Sequence, residues 1–168
     1  MMSDNIEGLA RALGERLIEK GWMFSCAESC TGGLLAAAMT ATAGSSQWFD
    51  RGFVTYSNAA KCELLGVHPD TLDRFGAVSE ETAMEMAAGA LAGARQSHFA
   101  VSTTGIAGPD GATPGKPVGM VCFGFASRVG SGVVTRAETQ VFPGDRQAVR
   151  AAAVAYALST ALEFNPAD

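Results

Sequence analysis

The stretch Met23-Phe24-Ser25-Cys26-Ala27-Glu28-Ser29-Cys30-Thr31-Gly32-Gly33-Leu34-Leu35-Ala36-Ala37-Ala38-Met39 decides the architecture. Met23 to Ala27 reads as a short buried strand, Glu28 to Gly33 as a glycine-containing turn, and the apolar run Leu34 to Met39 as a helix. Strand, turn and helix in that order form a βα unit. In α/β sheets the C-terminal edge of such strands is the usual place for ligand chemistry, and Ser29 stands there.

Working outward, Leu9, Leu13, Leu17 and Ile18 fall on one face at helical spacing. With Gly21 as a stop, they predict a first amphipathic helix that runs to Lys20 and covers a sheet. On the other side, Phe53-Val54-Thr55-Tyr56 reads as a strand, and Asn58 as the cap of a short helix that carries Lys61, Leu64 and Leu65 before Gly66 ends it. Pro69 opens another short helix. Ser79-Glu80-Glu81-Thr82 opens a longer one through Met84 and Leu91, with two carboxylates against its N-terminal dipole.

Three more strands are expected around Phe99 to Thr103, Gly119 to Ala126 and Val133 to Val141, the last two paired antiparallel through Gly130-Ser131-Gly132. Gly144-Asp145-Arg146 introduces a final Ala-rich helix. The longest loop, Gly105 to Pro117, is rich in Gly and Pro and directly follows a strand. Ordered loops of that kind are disproportionately functional.

The 168 residues suit one domain, 1–168, and 48% hydrophobic against 17% charged residues supplies a sizeable core. A net charge of -5 gives no basic field for a nucleic-acid backbone, although a local pocket for one phosphate is compatible with it. Asp4, Glu7, Arg11, Glu15, Arg16 and Glu19 interrupt the N-terminal segment, unlike a signal peptide or a membrane span, so a cytoplasmic location is expected. Cys26, Cys30, Cys62 and Cys122 lack paired C-x-x-C spacing, and with two histidines in the chain a zinc site is poorly supplied. They read as reduced thiols.

Candidate chemistry gathers around Ser29. The amides of Cys30, Thr31, Gly32 and Gly33 lie at or before a first helical turn, where N–H groups without internal partners can bind an oxyanion or a phosphate. A serine in this place is more often a helix cap than a nucleophile. It becomes a nucleophile when a base takes its proton, and Lys61 serves if burial lowers its pKa; a helix lysine is otherwise a solvated charge. His68 reads as a helix entry and His98 as a strand start, so no histidine is evident for a Ser-His pair.

Tyr56 has a hydroxyl that can orient Lys61 or relay a proton, or it is a half-buried strand aromatic. Thr103, Thr104 and Gly105 lie at the C-terminal edge of a later strand, facing the same crevice. Arg146 can hold a phosphate bidentately, although a surface ion pair is its default role; Lys116, in the long loop, is a lesser candidate.

Several ordered segments together resemble one family. They are Ala27 to Gly33, Arg51 to Asn58 with Lys61, Gly76-Ala77-Val78-Ser79, Thr104 to Gly111, Lys116-Pro117-Val118-Gly119 and Gly144-Asp145-Arg146. In them the chain resembles the CinA C-terminal domain family, whose stand-alone members include bacterial nicotinamide-mononucleotide deamidases. The resemblance covers essentially the whole chain, and several matching segments are far more specific than one glycine motif.

The resemblance implies a three-layer α/β/α sandwich with a mixed, mostly parallel sheet, and a serine-lysine amidase centre at Ser29, Tyr56 and Lys61. It also implies that Thr104, Gly105 and Arg146 shape the nucleotide pocket. The implied reaction is hydrolysis of the nicotinamide mononucleotide carboxamide to nicotinate mononucleotide and ammonia, with no cofactor and no metal. The expected partners are that small-molecule substrate and a second copy of the chain in a dimer, with no nucleic acid and no membrane. The rival reading is a non-catalytic pyridine-nucleotide-binding or competence- and damage-associated regulatory module.

Overall fold

The computed structural model describes residues 2–164. Met1 and residues 165–168, which the single-domain expectation includes, lie outside the described residues. In chain order the elements are α1 (Asp4–Lys20), β1 (Phe24–Glu28), α2 (Leu34–Thr40), a short 3-10 turn over Ser45–Gln47, β2 (Phe49–Val54), α3 (Asn58–Leu65), α4 (Pro69–Phe75), α5 (Glu80–Ala92), β3 (Phe99–Gly105), β4 (Met120–Val129), β5 (Gly132–Val141) and α6 (Arg146–Glu163).

The strands form one sheet in the order β2-β1-β3-β4-β5. β1 lies parallel to both β2 and β3, while β4 runs antiparallel to β3 and to β5, so the sheet is mixed and four of its five strands share a direction. The chain leaves β1 for β2 on one side and later returns to β3 on the other. That reversal opens a crevice beyond the C-terminal end of β1.

Alternation along the strands builds two cores. Phe24 and Cys26 of β1 and Val101 of β3 face α1, α2 and α6, where Leu13, Leu17, Leu35, Met39, Val154 and Leu158 pack. Ala27, Ala100 and Ala126 face the other way, against Leu65 of α3 and Met86, Ala90 and Leu91 of α5. With α4 against α5, this is the expected α/β/α sandwich. Full burial of each large apolar side chain contributes ~1.5–3 kcal/mol.

Helix ends follow local chemistry. Ser3 caps α1 by accepting from Ile6 N–H, and Gly21 closes it in the left-handed region. Ser79 caps α5 and Asp145 caps α6.

Element ends shift by a few residues from the sequence reading, and two of the differences have a clear local cause. β2 starts at Phe49 and ends at Val54, because it is an edge strand whose half-buried Asp50 and exposed Arg51 break the apolar run. The cap of α3 is Ser57, whose side chain accepts from Ala60 N–H, and Asn58 is already helical. The extended path leaving β2 continues through Ser57, and an N-cap is the last extended residue.

Gly89 seats α3. A Cβ there meets Leu65 O at 2.0 Å, a contact only a hydrogen permits. Gly89→Ala gains about 1 kcal/mol of helix propensity but forces α3 and α5 apart, an overpacking cost of about 3 kcal/mol that wins. A net loss near 2 kcal/mol in urea unfolding is expected; an unchanged midpoint refutes the close helix contact.

Candidate active site

A cleft of about 260 Å³ opens at the switch point, lined among others by Ser29, Cys30, Lys61, Thr104, Gly105 and Arg146. Ser29 sits one residue beyond β1, where its N–H donates to Thr103 O at 2.9 Å and thereby continues the parallel ladder. The alternation of β1 continues as well: Glu28 turns toward α2 and Ser29 toward the α3 side. Lys61 lies within the first turn of α3, held beside the strand end.

Lys61 Nζ is 2.9 Å from Ser29 Oγ, 2.9 Å from Thr55 O and 3.2 Å from Tyr56 O. The side chain is 1% exposed. Burial lowers its pKa below the ordinary lysine value, since an ammonium loses more hydration there than an amine. A neutral amine has two N–H donors and one lone pair. As an ammonium, Nζ donates to Ser29 Oγ as well as to the two carbonyls, and the Ser29 hydroxyl donates to Tyr56 O at 3.4 Å. Once the amine is neutral and the carbonyls take its two protons, its lone pair is left for the Ser29 hydroxyl, the geometry a general base requires.

Cys30, next to the serine, is no competitor for the nucleophile's place. Burial pushes its thiol up to about 12, so it packs as a neutral side chain. The thiolate that attacks in cysteine enzymes is scarce here at neutral pH.

Of the other residues singled out from sequence, Tyr56 lies beyond the end of β2 and meets Lys61 through its carbonyl. Its hydroxyl accepts instead from Arg146 Nη2 at 3.1 Å. Arg146 also donates through Nη1 to Gly108 O at 2.9 Å, which ties the long loop to α6. Thr104 lines the cleft, with its hydroxyl donating to Ala77 O at 2.7 Å. Gly105 brings backbone to the cleft wall, where a Cβ would meet Met120 O at 2.7 Å.

Thr31, Gly32 and Gly33 do not line the cleft. The Thr31 hydroxyl turns inward, and the Gly32 amide donates back to Ser29 O at 3.0 Å. Thr103 meets Thr31 beneath the turn. Lys116 donates to Phe75 O, and His98 Nδ1 accepts from Met23 N–H, so both serve the scaffold. Among the described residues no cluster of His, Cys, Asp and Glu is placed to hold a metal.

Sequence reasoning passed over Arg150, which donates to Cys30 O at 3.1 Å and to Thr31 O at 3.2 Å, clamping the turn from α6. Its one-turn spacing from Arg146 was the available signal. Asn58 and Asp110 also line the cleft without having been selected.

The CinA C-terminal domain family matches residues 6–164. The chain is 54% identical over 162 residues to the nicotinamide-nucleotide amidohydrolase PncC of Enterobacter agglomerans, covering 96% of each. It is 51% identical to the protein of that name from Escherichia coli (strain K12), covering 95% of this chain and 94% of the relative. Among solved structures, it superposes on the competence/damage inducible protein CihA from Agrobacterium tumefaciens with a TM-score of 0.88, 46% identity and coverage of 98% and 99%. For the competence damage-inducible protein A (ComA) from Klebsiella pneumoniae subsp. pneumoniae MGH 78578 the TM-score is 0.89, with 40% identity and coverage of 95% and 96%.

Proposed function

The chain belongs to the CinA C-terminal domain family, and from that membership we propose that it is a nicotinamide-mononucleotide amidohydrolase, with Ser29 as nucleophile and Lys61 as general base. The observation that carries the residue assignment is the buried 2.9 Å approach of Nζ to Oγ.

Ser29 Oγ attacks the carboxamide carbon while its proton passes to Lys61 Nζ. Collapse of the tetrahedral intermediate breaks the C–N bond, and Lys61 gives that proton to the departing ammonia. Water then attacks the acyl ester, with Lys61 taking its proton and returning it to Ser29. The products are nicotinate mononucleotide and ammonia.

For the oxyanion the Cys30 amide is the best-supported donor. It follows the nucleophile and is drawn neither into the ladder nor into the α2 turn, whereas the Ser29 amide is taken by Thr103 O and the Ile106 amide by Met120 O. Arg146, with guanidinium donors beyond the two already used, is the proposed phosphate partner. Tyr56 then acts through its carbonyl at Lys61 and through its hydroxyl at Arg146.

The wider reading is of residues 1–168 acting as one catalytic unit in the cytoplasm, as a dimer. No helix among the described residues is long and apolar enough to cross a membrane, and the four cysteines are unbridged. The exposed Val133, Val134 and Val141 of β5 support self-association at that margin of the sheet.

Purified protein given nicotinamide mononucleotide is expected to release ammonia and nicotinate mononucleotide one for one; nucleotide binding without turnover supports a regulatory module instead. The rate should rise with pH as Lys61 loses its proton, with a midpoint below the ordinary lysine range. The substrate's pyridinium further disfavours an ammonium beside it, so the acidic limb of kcat should lie below that of kcat/KM. Coincident limbs refute that coupling.

A further inference from the structure

Glu28 and Lys61 are the two fully buried charged side chains among the described residues, and the mechanism uses only one of them. Glu28 lies on the opposite face of the strand end from Lys61 and does not line the cleft.

Its oxygens are divided between the strand end and the next helix. Oε1 accepts from Leu35 N–H at 2.8 Å and from the Thr31 hydroxyl at 2.6 Å. Oε2 accepts from Ala36 N–H at 3.1 Å, with the Cys26 thiol 3.8 Å away. A carboxylate only accepts, so the Thr31 proton points at Glu28, and the Thr103 hydroxyl, 2.7 Å from Thr31, donates into the chain.

A helix end is ordinarily satisfied by the side chain at its own N-cap. Here the N-cap is Gly33, at φ 108°, a left-handed conformation that favours glycine and brings no side chain. The donors of Leu35 and Ala36 are met instead from seven and eight residues upstream, by the residue covalently joined to Ser29. One carboxylate thus binds the last residue of β1 to the first turn of α2 and closes the turn between them.

We propose that Glu28 is a positioning residue for hydrolysis: by joining β1 to α2 it fixes the turn in which Ser29 Oγ meets Lys61 Nζ. This rests on the amidohydrolase reading. The contact it sets is short, and a displacement of about 1 Å in such a geometry costs about 10²-fold in rate.

The test compares Glu28→Gln, Thr31→Val and Thr31→Ser with wild type for kcat, KM and the acidic limb, each protein first shown to be folded by circular dichroism. Glutamine keeps the acceptor for Leu35 but sets an NH2 donor against Ala36 N–H, so kcat should fall about 10²-fold with KM within about threefold. The limb should stay in place, because Glu28 acts through geometry and not through its field on Lys61. Thr31→Val cuts the hydroxyl link to Glu28 and Thr103 while sparing the helix cap; kcat should fall about 10-fold, and Thr31→Ser should recover most of it.

A Glu28→Gln kcat within threefold of wild type overturns the proposal. So does a displaced acidic limb, which marks an electrostatic role, or a loss residing in KM. If Glu28→Gln does not fold, the Thr31 pair decides: equal rates for valine and serine overturn it. A wild-type protein that releases no ammonia ends the amidohydrolase reading and this proposal with it, an outcome distinct from an active wild type with an unaffected variant.

Discussion

Lys61→Met is expected to lower kcat by ~10⁴-fold or more and, at neutral pH, to make the fold more stable. The first effect follows from the base: without Nζ the Ser29 hydroxyl keeps the Tyr56 carbonyl as its hydrogen-bond partner, which cannot carry the proton onward to ammonia. Ser29→Ala should lose activity to the same extent, and the double variant should be no worse than either single one, because the pair acts as a unit.

The second effect follows from linkage. Burial lowers the folded pKa of Lys61 below its unfolded value, so between those two values the unfolded chain binds more protons, and stability rises with pH across that window. Below the folded pKa the protein bears the whole cost of an ammonium held out of water. Methionine keeps much of the volume and carries no charge, so the variant's urea midpoint should be higher near neutrality and flatter with pH. A less stable Lys61→Met protein with substantial ammonia release refutes both the base and its destabilising burial.

Arg146→Ala should lower kcat/KM for the mononucleotide by ~10²-fold, mostly through KM, since hydrogen bonds to a charged group are worth about 1.5–3 kcal/mol each. The nucleoside lacking the phosphate is the control. Wild type and variant should handle it with similar kcat/KM, because the contact removed is the one to the phosphate. Equal loss on nucleotide and nucleoside instead assigns Arg146 to holding Tyr56 and the Gly108 loop, its two partners in the structure. Steady-state kinetics on the two substrates separates these outcomes.

Much of the scaffold is legible along the chain. The helical spacing of Leu9, Leu13 and Leu17, the Gly21 and Gly66 stops, and the Gly130-Ser131 turn each express interactions among near neighbours and return in α1, α3 and the β4–β5 hairpin, whereas Ile18, read on the same face, is exposed. The polar edge strand β2 was harder to read, since one neighbouring strand and a solvent-facing side leave little apolar periodicity.

The sequence alone determined that a serine stands at the turn of a βα unit, that a lysine follows in a short helix, and which family these segments resemble. Only the tertiary structure decided that the two side chains meet, that the lysine is buried, and that Glu28 and Arg150 both hold the turn. Periodicity is a property of residues within one turn or one strand pair. The meeting of residues 29 and 61 depends on the order β2-β1-β3 and on α3 resting against α5 at Gly89, and the lowered lysine pKa is a collective effect of everything that keeps water out.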